Sequence, residues 1–268
     1  SPASPASPAR TARWMIAQHA GRADFRAFPA DIAPADLAAA YAAQDAFVRL
    51  KGRQCGDPIG WKIALSNPVM QQLVGLDAPI AGRLHSRQVV GGPARTAMSG
   101  YGRLLIEFEI AVELGADLLL PDGRCSREQA AQAVAAIRPA FELADDRRAD
   151  YSALGPHALQ MVADNAWNEG AVLGQRRADW QGLDLAALAG RVWCDDAEVG
   201  VGHGRDLMGH PLDALAWLAT CAAQRGQALR RGEVAILGSL VTSKFPQPGQ
   251  VWRYELEGFE PLILSIDP

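Results

Sequence analysis

The chain has 268 residues and a mass of 28.6 kDa, with 49% hydrophobic and 21% charged residues, enough to bury the core of one large domain or two modest ones. A formal net charge of −4 and a pI near 5.7 argue against a nucleic-acid or anionic-membrane partner. No apolar run approaches the roughly 18–20 residues that span a bilayer, and the four cysteines (Cys55, Cys125, Cys194, Cys221) show no CxxC spacing, which points to reduced thiols in the cytoplasm rather than a disulfide framework or a zinc site.

In chain order, "SPASPASPAR" lacks the apolar stretch of a signal peptide. Rich in Ser, Pro and Ala, it reads as a disordered lead-in over residues 1–12. Residues 34–51, alanine-rich with Leu37, Tyr41 and Phe47 near helical spacing, predict a helix. A short strand-like run, Ile59–Leu65, follows, and "NPVMQQLVG" reads as one or two helical turns stopped by Gly75. "GGPARTAMSG" marks a soft boundary near 95–100, dividing an N-terminal α/β part (13–98) from a core (99–268). The stretch "RLLIEFEIAVELGADL" alternates Ile106, Phe108, Ile110 and Val112 with Glu107, Glu109, Ala111 and Glu113, a period of two that belongs to a strand.

Ser126 with Gln129 three positions on resembles a capping box and starts a predicted helix that ends before Pro139. "AFELADD" returns to alternation, and "EGAVLG" and "RVWCDD" read as short strands. "HPLDALAWLATCAAQRG" is a second helix closed by Gly226, and the end of the chain is three strands joined by turns. Helices and strands do not alternate regularly, so an α+β fold with a curved mixed sheet is favoured over a doubly wound parallel one.

"GVGHGRDLMG" misplaces the third glycine of a dinucleotide loop and is read as a simple turn. The five histidines form no HxxxH or HExxH pair and take surface or capping roles, and no GxSxG elbow supports serine hydrolase chemistry. Glu107 and Glu109 share a strand face, roughly 7 Å apart. That face either meets water or converges on a divalent cation. Glu142, on a second strand-like segment, is placed by alternation to face the same way, and three carboxylates in one pocket repel unless a cation neutralises them. Such oxygen ligands suit Mg²⁺ or Mn²⁺. Lys62, within the apolar "GWKIALS", is either a snorkelling edge residue or a cation for a substrate carboxylate. Asp164 and Asn165, in "VADNAW", read as a cap or turn.

From about residue 34 to the end, the ordered motifs "GWKIALS", "MQQLVGLDAPIAGRL", "IEFEIAVELGADL", "RPAFELADDR", "VADNAWNEGAVLG", "GHPLDALAWLA" and "GEVAILGSLVTSKFPQPGQVWRYELEG" resemble the 2-keto-4-pentenoate hydratase family. This is a branch of the fumarylacetoacetate hydrolase superfamily that also includes 4-oxalocrotonate decarboxylase and 2-oxohept-3-enedioate hydratase. The resemblance implies curved mixed sheets with peripheral helices and a smaller N-terminal helical part. It implies Mg²⁺ or Mn²⁺ on Glu107, Glu109 and Glu142, catalytic roles for Lys62 and Asp164, and substrate contacts from Ser66, Arg83, Asn165 and Ser239. The implied activity is hydration of 2-hydroxypenta-2,4-dienoate or a similar 2-keto acid in aromatic catabolism, the cation stabilising the charge that develops as the dienol ketonises. A homo-oligomer is expected, associated with a pathway decarboxylase.

Two positions depart from the family pattern. Ile80 or Ala81 stands where an acidic residue often precedes the G-x-L of "APIAGRL", and Trp167 stands where a small hydroxyl residue often follows "ADNA". Both departures bear on the hydration step, and Trp167 narrows the pocket. The alternatives are a 4-oxalocrotonate-type decarboxylase, which needs a second basic residue for a distal carboxylate and for which Arg83 is the candidate, and a non-catalytic homologue that binds a keto acid. A C–C bond hydrolase ranks lower, because no N-terminal loop supplies the histidine–glutamate pair that activates water in those relatives.

Overall fold

The computed structural model describes residues 6–268. Two helices, α1 (Pro8–Ala20) and α2 (Leu37–Cys55), precede β1 (Pro58–Ala64), α3 (Pro68–Leu73), β2 (Ile80–His85), β3 (Val89–Gly91) and β4 (Ala94–Ala97). Next come β5 (Leu104–Leu114), α4 (Arg127–Ala133), β6 (Val134–Asp145), α5 (Ala158–Ala163) and β7 (Asn168–Leu173). The last part is β8 (Ala189–Cys194), β9 (Ala197–His203), α6 (Pro211–Gln224), β10 (Val234–Lys244), β11 (Val251–Leu256) and β12 (Leu262–Asp267). A seven-stranded sheet takes the order β2-β1-β10-β5-β6-β7-β3 and a five-stranded one β4-β12-β11-β8-β9. The β1–β10, β3–β7 and β4–β12 pairs are parallel. This is the mixed α+β architecture that the sequence predicts.

The helix starts carry side-chain caps. Asp36 accepts from the Ala39 N–H (2.8 Å), Asn67 from that of Met70 (2.9 Å), and Ser126 with Gln129 forms the expected capping box. On β5 the odd face carries the glutamates, and the even face buries Phe108 against Phe141 of β6 and Trp252 and Tyr254 of β11. Ring centroids there lie 5.7–6.1 Å apart, so an aromatic layer joins the two sheets.

Four expectations are corrected. The lead-in over 1–12 lies partly outside the described residues, but from Pro8 on the chain is helical. Pro8 sits in the first turn, where its missing N–H costs nothing, and Ala12 and Met15 pack on Ala43 and Phe47 of α2. The boundary at 98/99 is no break, because β1 and β2 belong to the same seven-stranded sheet as β5 and β10. The helix from Ser126 stops at Ala133, since Val134–Arg138 pair with β5 and that pairing overrides the helical preference of an alanine-rich run. Part of "GVGHGRDLMG" is an edge strand rather than a simple turn. Its glycines are there for close approach: a Cβ on Gly202 would meet the Leu240 carbonyl oxygen of β10 at 1.9 Å.

Candidate metal centre

Glu107 and Glu109 project from one face of β5, and the β5–β6 register sets Glu142 directly opposite Glu107. One oxygen from each carboxylate lies within 4.8 Å of the other two. Glu109 and Glu142 are fully buried. Glu107 is partly exposed and lines a cavity of about 400 Å³.

Charge in this cluster does not balance. Among the described residues, the one cation against the three carboxylates is Lys62, reaching in from β1, with Nζ 2.9 Å from Glu142 Oε2 and donating to the Ala166 carbonyl at 3.2 Å. The Asn168 amide donates to the same Glu142 oxygen at 2.7 Å, and the Gly238 N–H donates to Glu109 Oε2 at 2.9 Å. The other oxygen of Glu109 and that of Glu142 are buried with no hydrogen-bond partner among the described residues. Burial and the neighbouring Glu142 push the Glu107 carboxyl up to about 7. Burial with the charges of Glu142 and Glu107 drives Glu109 well above the usual carboxylate range. Burial alone would lower the Lys62 ammonium, but attraction to Glu142, Glu107 and Glu109 outweighs it and holds the group above its usual value.

Excess negative charge, two unpartnered buried oxygens and an all-carboxylate donor set fit a hard divalent cation. Gly238 explains part of this geometry. It sits at an irregularity in β10 with φ +111°, a torsion that glycine tolerates, and so its N–H meets Glu109.

Lys62, Ser66, Ser239 and Trp167 line the cavity beside Glu107. The Ser239 hydroxyl receives the Phe108 N–H (3.0 Å) and donates to the Val241 carbonyl, so it also pins the β5–β10 irregularity.

Three expected site residues face elsewhere. Asp164 is absent from the cavity wall: it is 1% exposed, accepts from His19 Nε2 at 2.7 Å and ion-pairs with Arg147. Burial would raise its carboxyl, but His19 and Arg147 hold it below the usual range. The structure thus places Asp164, the expected catalytic residue, in a buried ion cluster with His19 and Arg147, and His19 is no ordinary surface histidine. Arg83 points away from the cavity, donating to the Gly60 carbonyl (3.0 Å) and Glu233 (3.1 Å), with its guanidinium 3.8 Å from the Trp61 ring centroid. Asn165 spends its amide on the backbone N–H and carbonyl of Arg83, at 2.7 and 3.0 Å. Neither is positioned to touch a substrate in the cavity.

Asn165 nonetheless shapes the site. It opens a turn in which Asn165, Ala166 and Trp167 all have φ between +48° and +64°, torsions that cost free energy and need outside support. Support comes from the two Asn165 bonds and from the Trp167 ring, packed edge-on against Phe25 and Tyr151. The result aims the Ala166 carbonyl at Lys62. Asn168, just after the turn, and Gly238 are the site residues that sequence reasoning missed. For Asn168 the available signal was a polar residue at the start of an apolar strand.

No described helix is long and apolar enough to cross a membrane. The sequence pattern of the fumarylacetoacetate (FAA) hydrolase C-terminal family matches residues 77–266. The chain is 32% identical over 200 residues to a 2-keto-4-pentenoate hydratase of Paraburkholderia xenovorans strain LB400, covering 75% of this chain and 72% of the relative. It is 31% identical over 202 residues to a 2-hydroxyhexa-2,4-dienoate hydratase of Comamonas testosteroni, covering 75% of each. Its fold is similar to that of the 4-oxalocrotonate decarboxylase from Pseudomonas putida G7 complexed with magnesium and adipate, with a TM-score of 0.87, 24% identity and 97% of both chains covered.

Proposed function

The chain belongs to the fumarylacetoacetate hydrolase family, in the branch of the 2-keto-4-pentenoate hydratases, and from that premise we propose that it is a divalent-metal-dependent hydratase, a lyase that adds water to a 2-hydroxy-2,4-dienoate or its 2-keto tautomer. The observation that carries this reading is the unbalanced cluster: three carboxylates with oxygens within 4.8 Å, facing one lysine, at the wall of a cavity. Glu107, Glu109 and Glu142 are the residues that would hold the ion, and Mg²⁺ or Mn²⁺ suits their oxygens. When bound, such an ion supplies positive charge for the 2-oxygen and carboxylate of the substrate as the dienol ketonises.

The remaining work falls to the chain. Lys62 is held as an ammonium and has three donors, of which Glu142 and Ala166 use two. The third is available to fix the substrate carboxylate or to deliver the proton that turns the dienol into a conjugated enone. Ser66, in the same wall, offers a neutral hydroxyl to a substrate oxygen. Ile80 and Ala81 are buried apolar residues of β2, so no acid stands at that point to activate water. That step belongs to the groups on the cavity wall.

Decay of 2-hydroxypenta-2,4-dienoate, followed by ultraviolet absorbance with and without added Mn²⁺, tests the reading. Metal-dependent loss of the dienol band is expected, and unchanged absorbance in both samples overturns it. A 4-oxalocrotonate-type decarboxylase is less well supported, because Arg83, the expected partner of a distal carboxylate, is committed to Glu233 and Trp61. A homo-oligomer in the cytoplasm, working beside a pathway decarboxylase, completes the proposal. Exposed Val199 and Val201 on the edge strand β9 favour self-association, which light scattering on the purified protein checks.

A further inference from the structure

The cavity beside the carboxylate cluster is chemically lopsided. Its charged groups are Lys62, Glu107 and Asp206, and its neutral polar ones include Ser66, Asn67, Thr242 and Ser243. Much of the rest is the buried side chains of Val74, Leu105, Leu154, Met161, Trp167 and Leu240. Resting on the hydratase reading, we propose that this cavity selects 2-hydroxydienoates, or their 2-keto tautomers, whose far end is an uncharged alkyl or aryl group, and that it discriminates against those ending in a second carboxylate.

Charge decides against a diacid. Among the described residues lining the cavity, Lys62 is the only cation, and it already faces Glu142 at 2.9 Å. The other charged groups in the wall, Glu107 and the exposed Asp206, are anions and repel a distal carboxylate. Three arginines in this part of the fold are committed elsewhere. Arg83 is held by Glu233, and Arg147 by Asp164. Arg103 lies 5.6 Å from the Tyr151 ring centroid and is bound by both oxygens of Asp146, at 2.7 and 2.8 Å. The uncharged donors of the wall are hydroxyls, the Asn67 amide and the Trp167 indole N–H, which among the described residues is buried without an acceptor. Neutral donors alone do not balance the charge of a second carboxylate in a wall that already holds two anions and one committed cation.

Size and shape point the same way. A cavity of about 400 Å³ falls in the range that encloses drug-sized ligands, and a five-carbon dienoate leaves part of it unfilled. Trp167 takes part in shaping that space. Its ring is fixed by edge-on contacts to Phe25 and Tyr151, with centroids 5.5 and 6.1 Å away, and so presents a rigid aromatic surface on which an apolar tail is buried at little entropic cost.

The test is calorimetric titration of the Mg²⁺-loaded protein with three unreactive saturated acids: 2-oxopentanoate, 2-oxo-6-phenylhexanoate and 2-oxoadipate. The phenyl acid is expected to bind at least about 10-fold tighter than 2-oxopentanoate, and 2-oxoadipate at least about 10-fold weaker. In Trp167→Ser the advantage of the phenyl acid should shrink several-fold. Equal or tighter binding of 2-oxoadipate, or a phenyl acid no tighter than 2-oxopentanoate, overturns the selectivity while leaving the keto-acid site standing. No binding by any of the three overturns the site itself, and the selectivity with it.

Discussion

Two buried charge clusters lie on either side of the turn at residues 165–167, and they are built on opposite principles. Asp164, His19 and Arg147 form a set in which one carboxylate has two basic partners, and the Asp164 carboxyl is held below the usual range. Glu107, Glu109, Glu142 and Lys62 form a set in which three carboxylates share one ammonium, and Glu107 and Glu109 are pushed up. A satisfied ion cluster adds rigidity and asks for nothing more. An unsatisfied one stores electrostatic cost that a ligand relieves, which is how function shows in a static fold.

The largest effect that would break this contrast is on stability. Asp164→Asn should cost about 3–5 kcal/mol in urea unfolding, because it leaves Arg147, 5% exposed, without its charge partner. Mn²⁺ affinity of the folded fraction should barely change. A loss of metal binding with unchanged stability would instead put Asp164 in the active site.

Acidity sharpens the comparison next. A carboxyl raised on folding binds more protons in the folded than in the unfolded state, so its contribution makes the metal-free protein lose stability as pH climbs. For Glu107 the window runs from the ordinary value of 4.5 to about 7, with a loss on the order of 3 kcal/mol. Asp164 has the opposite sign: its contribution is present above the ordinary carboxylate value and is lost on acidification. Thermal melts of metal-free protein across pH, repeated with Mn²⁺, should show the first decline disappear when metal is bound.

Glu109→Gln should lower Mn²⁺ affinity by more than about 100-fold, beyond the roughly 10- to 100-fold typical of outer-sphere partners. In the absence of metal it should leave the fold as stable as before or more so, since it removes one surplus negative charge. A destabilised variant would mean that the carboxylates are structural. Smallest of the set, Asn168→Ala should cost about 10-fold in Mn²⁺ affinity, because Asn168 orients Glu142 without touching the ion site. Calorimetric titration with Mn²⁺ reads both variants.

Much of the metal cluster was legible because it rests on local rules. Alternation puts Glu107 and Glu109 on one face, and the family pattern brings Glu142 to them. The polar residues around the 165–167 turn were not legible. Which way Asp164 and Asn165 point is set by three successive left-handed torsions, and no pattern of residue types in "VADNAW" encodes that. Arg83 misled for a related reason. On β2 it lies opposite Trp61, so its side chain lies along the sheet to Trp61 and Glu233 rather than into the cavity. The strand start at Val134 was hidden because "AAQAVAAI" supports a helix or a strand equally well until β5 is alongside. At β9 the glycines resembled a loop because their purpose, room for β10, lies some 40 positions further along the chain.

The Gly238 amide has a further implication. The group that steers Glu109 there is a peptide N–H, which no side-chain replacement deletes, and any replacement of the glycine itself drives a Cβ to within 2.8 Å of the Ser66 hydroxyl oxygen. An alanine scan of neighbouring polar residues would pass over this contact, and a fault found at Gly238 would be put down to crowding. Part of the chemistry at this centre is therefore written in main-chain conformation, where mutational mapping is blind and only backbone substitution, such as an ester in place of the amide, would reveal it.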